Sequence, residues 1–367
     1  MSTTHIKTRL RIIAAIAGKD ISDAVKNRTT LSIMLGTLVL MLSSLALPLL
    51  LQLRATPTAI VYDPGRSTLI RAMTTREEFR LGIVDTFDEL GEVVGSASGL
   101  RLGLVIPEGF GQAASESSGS EGIVLTGHVP HWAKPDQVAE LVAFFEEQFE
   151  EASWREISID VADERMYPVA GKFGQHALTA NTMSMIVLTV GLALAPSLLV
   201  DEKESHTLDA LLVSPARYGQ IVLGKAITGL FYCVCAALII YILSARWFVS
   251  GWLLVLALSL GIAFAVLTGL LMGLLVENPN SVNLWTGLLL MLLLVPGLLG
   301  GVLGDRGPAA LRAIMRWIPT SAFSEMLTLT TLRSAPVSDW IWPAARLAGG
   351  VLIVAGLIVW RVRRADR

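Results

Sequence analysis

The octapeptide GQIVLGKA, Gly219 to Ala226, comes within one residue of the phosphate-binding pattern GxxxxGK[ST]. In that pattern backbone N–H groups cradle the phosphates, the lysine reaches the β and γ oxygens, and a hydroxyl holds Mg²⁺. Here Ala226 stands where the hydroxyl is needed, the interior of the stretch is apolar, and an apolar run follows directly. A working phosphate loop joins a buried strand to a helix in a soluble α/β domain, a setting this stretch lacks. The nucleotide-site reading is set aside, and Gly224 and Lys225 need another explanation.

Other residues able to do chemistry are few. None of His5, His128, His131, His176 and His206 falls in a metal-ligand pair within an apolar run, which argues against an intramembrane metalloprotease. His128 and His131 flank Pro130 in a predicted external loop and are read as loop residues rather than a metal site. Cys233 and Cys235 sit inside an apolar run at a spacing that points them in different directions on a helix. That spacing supports neither a disulfide nor a metal site.

What positions these residues is a membrane. The 367-residue chain is 53% hydrophobic and 16% charged, with a mean hydropathy of +0.60, whereas a soluble domain averages about 25% charged residues. A net charge of −2 leaves no bulk polycation for nucleic acid. A bilayer core takes about 20 apolar residues as a helix. Six segments meet or approach that length: Thr30 to Gln52, a run ending at Val200, runs beginning at Ala226, Gly251 and Val282, and Trp342 to Trp360.

Lys7, Arg9, Arg11, Lys19, Lys26 and Arg28 precede the first span, and Arg361, Arg363, Arg364 and Arg367 follow the last. The positive-inside rule then puts both termini in the cytoplasm, as an even number of spans permits. The first span, long and preceded by a polar leader, reads as a signal anchor rather than a cleaved signal peptide. The polar stretch that follows it lies outside. TAIVYDP, RLGLVIP, GIVLTGH and EISIDVAD read as short strands there. From Pro135, Val138, Leu141, Val142, Phe145 and Phe149 follow the helical period. AASESSGSEG reads as a flexible loop. Between Leu53 and Gln175 acids outnumber bases about two to one, which we read as a solvated external surface rather than a cation site.

No Asp, Glu or Lys stands in the middle of a predicted span, and Arg346 is placed near a membrane face. Ion-coupled carriers usually keep ionisable residues there as a relay. A self-contained secondary transporter is therefore not supported, while a pore or pump driven by another chain stays open. Two loops are cytoplasmic, residues 201–225 and the short ENPNS from Glu277. The external stretch 305–340 is apolar enough to dip into the membrane as short re-entrant helices broken at Pro319.

With this architecture, DEKESHTLDALLVSPARYGQIVLGKAITG resembles the signature of ABC exporter permeases of the ABC-2 superfamily, which runs as acid-basic-acid, GTLE, LLVTP and LLGK. KDISDAVKNRTTL is similar to that family's amphipathic elbow, LRLGLVIPEGFGQ to its external segment, and IPTSAFSEMLTLTTLR to its last external re-entrant region. The glycine usual before Thr207 is His206 here. The resemblance implies a membrane subunit of type V architecture with a large external domain. The expected fold is a polytopic α-helical membrane protein of six transmembrane helices, with an extracytoplasmic α/β domain inserted between the first and second spans. Its segments are an elbow at 1–29, a first helix at 30–52, the external domain at 53–177, a five-helix region at 178–362, and a cytoplasmic tail at 363–367.

The family pairs two permease chains, identical or homologous, in the cell membrane, each bound below to an ABC ATP-binding subunit that holds ATP and Mg²⁺. On that analogy this chain is no enzyme and binds no cofactor itself; its partners are two ATP-binding subunits, a second permease and membrane lipid. Glu202 and Glu204 match the acidic pair, Thr207 to Pro215 the coupling helix, and Gly224 and Lys225 the GK at the membrane entry. The residues agree with those roles. Ser205 or Thr207 can cap a helix on which Leu208, Leu211 and Leu212 form one apolar ridge that Pro215 ends. That ridge packs on a partner or on the chain's own helix ends. Lys225 is expected to snorkel to headgroups or cap the interface, and Gly224 and Gly229 to let helices approach closely. Asn181, Met185 and Thr189, with Asn283 and Trp285, are candidates to line the pathway, or else ordinary helix contacts. An amphiphilic, drug-like or lipid-like cargo moved outward is the leading expectation. An ion-extruding permease, or a sensor or assembly platform acting through its external domain, is the alternative.

Overall fold

A computed structural model describes residues 3–24, 31–32, 35–36, 38–39, 42–43, 56–110, 122–153, 155–169, 174–204, 218–276, 279–303 and 308–365. In chain order the elements begin with α1 (Thr3–Ala24), β1 (Thr58–Tyr62), α2 (Thr68–Met73), β2 (Arg80–Val84), α3 (Phe87–Gly95), β3 (Leu102–Val105), β4 (Ile123–His128), α4 (Pro135–Ser153) and β5 (Ile157–Val161). They continue with α5 (Gln175–Glu204), α6 (Tyr218–Ser244), α7 (Gly251–Leu275), α8 (Pro279–Leu303), α9 (Ala309–Trp317), α10 (Pro319–Leu329) and α11 (Val337–Ala365). The chain divides into two compact units, Ala46–Leu178 and the remainder.

The first of these units is a five-stranded sheet in the order β2-β1-β3-β4-β5. β1 runs parallel to both β2 and β3, β4 is antiparallel to β3, and β5 is parallel to β4. Alternation along β1 sorts its side chains. Ala59 and Val61 join a core with Ile70 and Met73 of α2 and with Phe145 and Phe149 of α4, while Ile60 packs with Leu90 and Val94 of α3. The sheet therefore has helices on both faces, which is why β3 is apolar without alternation. The four expected strands and the helix from Pro135 are present, and Val138, Phe145 and Phe149 are buried as their spacing requires. β2, α2 and α3 went unread: Arg80 and Gly82 break the apolar pattern of β2, and α2 is a six-residue helix. Most of AASESSGSEG lies outside the described residues.

In the other unit, four helices are long and apolar enough among the described residues to cross a membrane: Gln175–Lys203, Tyr218–Trp247, Gly251–Leu275 and Val337–Arg364. α8 offers a shorter apolar stretch, Ser281–Pro296. Of the expected first span, only pairs of residues between 31 and 43 are described, and these are helical. Close packing rests on small residues, as in lipid-embedded bundles. A Cβ on Gly191 would meet the Ala265 side chain at 2.6 Å, one on Gly269 the Gly191 carbonyl at 2.4 Å, and one on Gly261 the Phe323 ring at 2.3 Å. Gly229 faces Val266 in the same way, at 2.9 Å. The expected break at Pro319 is present: Ile318 is extended between α9 and α10, and Pro319 begins α10, where its missing N–H costs nothing.

Candidate functional site

The GQIVLGKA octapeptide is helical throughout, within the first turns of α6, so it is not a loop. Its two diagnostic residues serve a different arrangement. α1 lies along α6 and buries Ile13, Ala17 and Asp20, one stripe at helical spacing. Gly224 makes that approach possible, since a Cβ there would meet Ile16 Cγ2 at 2.7 Å. Further along, Tyr232 Oη donates to the Ile21 carbonyl at 2.9 Å.

Lys225 projects into this junction. Its Nζ lies 2.9 Å from Asp20 Oδ2 of α1 and 2.7 Å from Glu202 Oε1 at the end of α5. The three side chains are 2%, 7% and 12% exposed, for Lys225, Asp20 and Glu202 in turn. The expectation that Lys225 snorkels to the headgroups is thus corrected. Two carboxylates from neighbouring helices surround the ammonium, and a buried charge that is paired on two sides does not need to reach water. Next to Glu202, Lys203 turns the other way. Its Nζ donates to the carbonyls of Gly273 at 2.8 Å and Val276 at 3.0 Å, satisfying acceptors at the end of α7. α1, α5, α6 and α7 are thereby joined by four side chains, Asp20, Glu202, Lys203 and Lys225.

Between the partners Glu202 and Lys225 runs the expected coupling loop. Thr207, Leu208, Leu211, Leu212 and Pro215 lie outside the described residues, and of Glu204 only its place at the end of α5 is described. The flanks of that loop are what the structure supplies. Asp20 is the functional residue that sequence reasoning missed. Its signal was a carboxylate on the apolar stripe of α1, in register with Ile13 and Ala17.

The predicted pathway residues separate. Asn181 and Met185 of α5 line a small recess with Ser184 and Leu188, Leu293 and Leu294 of α8, and Thr320 and Ser324 of α10. Hydroxyls in it bond across helices. Ser324 Oγ donates to Ser184 Oγ at 3.1 Å, and Thr320 Oγ1 donates to the Leu293 carbonyl, in the turn before Pro296 interrupts α8. Thr189 does not line the recess, and its hydroxyl donates to the Met185 carbonyl at 2.7 Å. Asn283 and Trp285 are exposed on α8 and do not reach it. Ser184 was findable, three positions after Asn181 on the same face, whereas Thr320 and Ser324 come from the segment expected only to dip into the membrane.

Arg346, expected near a membrane face, is held by protein: its Nη2 lies 2.6 Å from Glu325 Oε2 and its Nη1 donates to the Arg316 carbonyl. Among the described residues no three His, Cys, Asp or Glu side chains are grouped to hold a metal ion. His131 instead stacks on Tyr167, 4.7 Å between ring centres, and His128 meets the Phe87 ring edge-on.

The profile of a family described as ABC-2 family transporter protein matches residues 28–361. No curated protein matches the chain significantly.

Proposed function

The chain belongs to the ABC-2 transporter family, whose membrane permeases work with ABC ATP-binding subunits, and from that premise we propose that it is the permease subunit of an ATP-driven exporter. In this reading two permease chains pair, and two ATP-binding subunits carry the ATP and Mg²⁺. The cargo is amphiphilic, drug-like or lipid-like and leaves through the permease pair. Six spans place both termini in the cytoplasm of a cell membrane and the domain 53–177 outside. The cytoplasmic segment 201–225, with its coupling helix at Thr207 to Pro215, is the element that the ATP-binding subunit pushes.

The observation that carries this reading is the Glu202–Lys225 pair, which ties together the two helix ends that flank the loop. Breaking a buried pair by removing one partner costs about 3–5 kcal/mol, so a push on the loop displaces the ends of α5 and α6 together. Through Asp20 the same lysine takes α1 with them, and through Lys203 the end of α7 follows. The small recess that Asn181, Ser184, Thr320 and Ser324 share with Met185, Leu188, Leu293 and Leu294 carries no ionisable group, which agrees with an amphiphilic cargo better than with an inorganic ion.

The test is transport by the reconstituted pair. The chain and a cognate ATP-binding subunit in proteoliposomes should move a lipophilic fluorescent dye with ATP, and vanadate should stop it. A chain that forms no complex with any ATP-binding subunit, or a complex that moves none of a panel of amphiphiles, would sink the proposal.

A further inference from the structure

The two edges of the sheet in the α/β unit are built differently. β5 is one edge strand and β2 the other. An edge strand presents a row of N–H and C=O groups on which another chain can build, and proteins usually cover or block it. The β5 edge is covered. Glu150 Oε1 of α4 accepts the Ile157 N–H at 3.1 Å, and Glu146 Oε1 accepts the Ile159 N–H at 2.7 Å. The glutamates are four apart on the helix and the amides two apart on the strand, so one side of α4 meets every outward donor of the pair.

The β2 edge is open. The Arg80 N–H donates inward, to the Pro57 carbonyl at 2.8 Å. In a parallel ladder every second residue repeats that direction, so Gly82 and Val84 also turn to β1. Leu81 and Ile83, between them, turn their N–H and C=O groups outward. Among the described residues no strand and no backbone group meets them. Ile83 is 45% exposed and Arg80 is exposed, so this side of the strand is accessible.

The outward groups are placed symmetrically about Gly82, which makes the edge complementary to itself. An antiparallel copy with Gly82 opposite Gly82 puts Leu81 opposite Ile83 on both sides of the axis. Each such pair exchanges two N–H···O bonds. Leu81 and Ile83 stand on the same face of their strand, so the exposed Ile83 of each copy comes beside Leu81 of the other. Arg80 comes opposite Val84 and next to Asp85 of the other copy, both charges being exposed, while Glu78 comes opposite the uncharged Thr86. We propose that β2 pairs antiparallel with β2 of a second copy of this chain, joining the two sheets about a two-fold axis at Gly82. This pairing rests on the reading that two permease chains associate, and it gives them an isologous contact between their α/β units.

The test uses the full chain in lipid nanodiscs, with its mass measured to count copies. Opposed Cα atoms at the axis lie about 4.5 Å apart, within the roughly 4.4–6.8 Å that a disulfide spans. Gly82→Cys should therefore form a disulfide-linked dimer on mild oxidation. Val124→Cys, 59% exposed on the interior strand β4, should not. Ile83→Pro removes an outward N–H, a change that an edge strand tolerates, and should abolish the Gly82→Cys link with an unchanged Tm. Hydrogen exchange on the unsubstituted chain needs no variant. The Leu81 and Ile83 amides should be protected there, and Leu81 should exchange at least about tenfold faster in Ile83→Pro. A chain that is dimeric but has fast Leu81 and Ile83 amides, or no Gly82→Cys link, overturns the β2 pairing and leaves the permease pair standing. A monomer overturns both. Equal linking by Val124→Cys, or a link that survives Ile83→Pro, also overturns the β2 pairing.

Discussion

Asp20 of α1 and Lys225 of α6 form an ion pair at 2.9 Å with both side chains buried. Because Glu202 shares the same ammonium at 2.7 Å, the three charges are unequal in consequence. Lys225→Met removes the cation that Asp20 and Glu202 share and should cost about 3–5 kcal/mol. Asp20→Asn leaves Lys225 paired with Glu202 and should cost less, about 1–3 kcal/mol. Thermal unfolding of the detergent-purified chain gives the ranking, and an Asp20 variant that loses more than the Lys225 variant would contradict the arrangement.

Lys203 acts on a different helix from its neighbour Glu202. Its ammonium donates to two carbonyls, of Gly273 and Val276, at the end of α7. Lys203→Met should release that end and destabilise the chain by about 1–3 kcal/mol. Hydrogen exchange should accelerate over the last turn of α7 and remain unchanged at Leu254 near its start, whose N–H donates to the Ser250 carbonyl. Uniform acceleration along α7 would mean that the lysine stabilises something other than the cap.

Contacts between backbones set the helix spacing in the bundle. Gly269→Ala would put a Cβ 2.4 Å from the Gly191 carbonyl, on backbone that cannot swing aside, and should cost about 1–3 kcal/mol by overpacking. Gly356→Ala meets nothing within 4 Å and should be neutral or stabilising by up to about 1 kcal/mol through helix propensity. Equal Tm values for the two variants would show that the α5–α7 contact is looser than described.

Burial pushes the imidazole of His128 below the ordinary histidine range, with Glu164 opposing part of the effect. The folded chain therefore resists a proton that the unfolded chain accepts near pH 6.5. Stability from this residue is present above that pH and lost as the pH falls through and below it. His128→Gln should flatten the fall in Tm between about pH 7 and pH 5. A steeper fall in the variant would mean that the sign is reversed.

The sequence carried four long apolar helices and most of the sheet because their signals are local. Apolar runs of membrane length, the short runs of β1 and β3 that prolines close, and the stripe of Val138, Phe145 and Phe149 each lie within a few turns of chain. β2 escaped notice because Arg80 and Gly82 dilute a five-residue strand that is recognised only by pairing with β1. The site divides along the same line. Glu202 and Lys225 were readable from the loop signature, but the burial of Lys225 depends on Asp20, far away in the chain, and so the lysine was expected at the headgroups. Asn181 and Met185 share the recess with Thr320 and Ser324 through a helix crossing that periodicity does not encode, while Asn283 and Trp285 lie apart from it, exposed on α8.

The central claim is that the cytoplasmic segment 201–225 receives the push of a separate ATP-binding subunit, and the Leu208, Leu211 and Leu212 ridge is where contact is expected. The most direct measurement is the ATPase activity of that subunit reconstituted with the chain, with and without the double change Leu208→Asp and Leu212→Asp. Copurification is scored in the same preparations, and a matched Tm shows that the helices remain folded. The account predicts that the double variant, folded as before, loses the partner or its stimulation of ATP hydrolysis. Undiminished copurification and stimulation in that variant would contradict it.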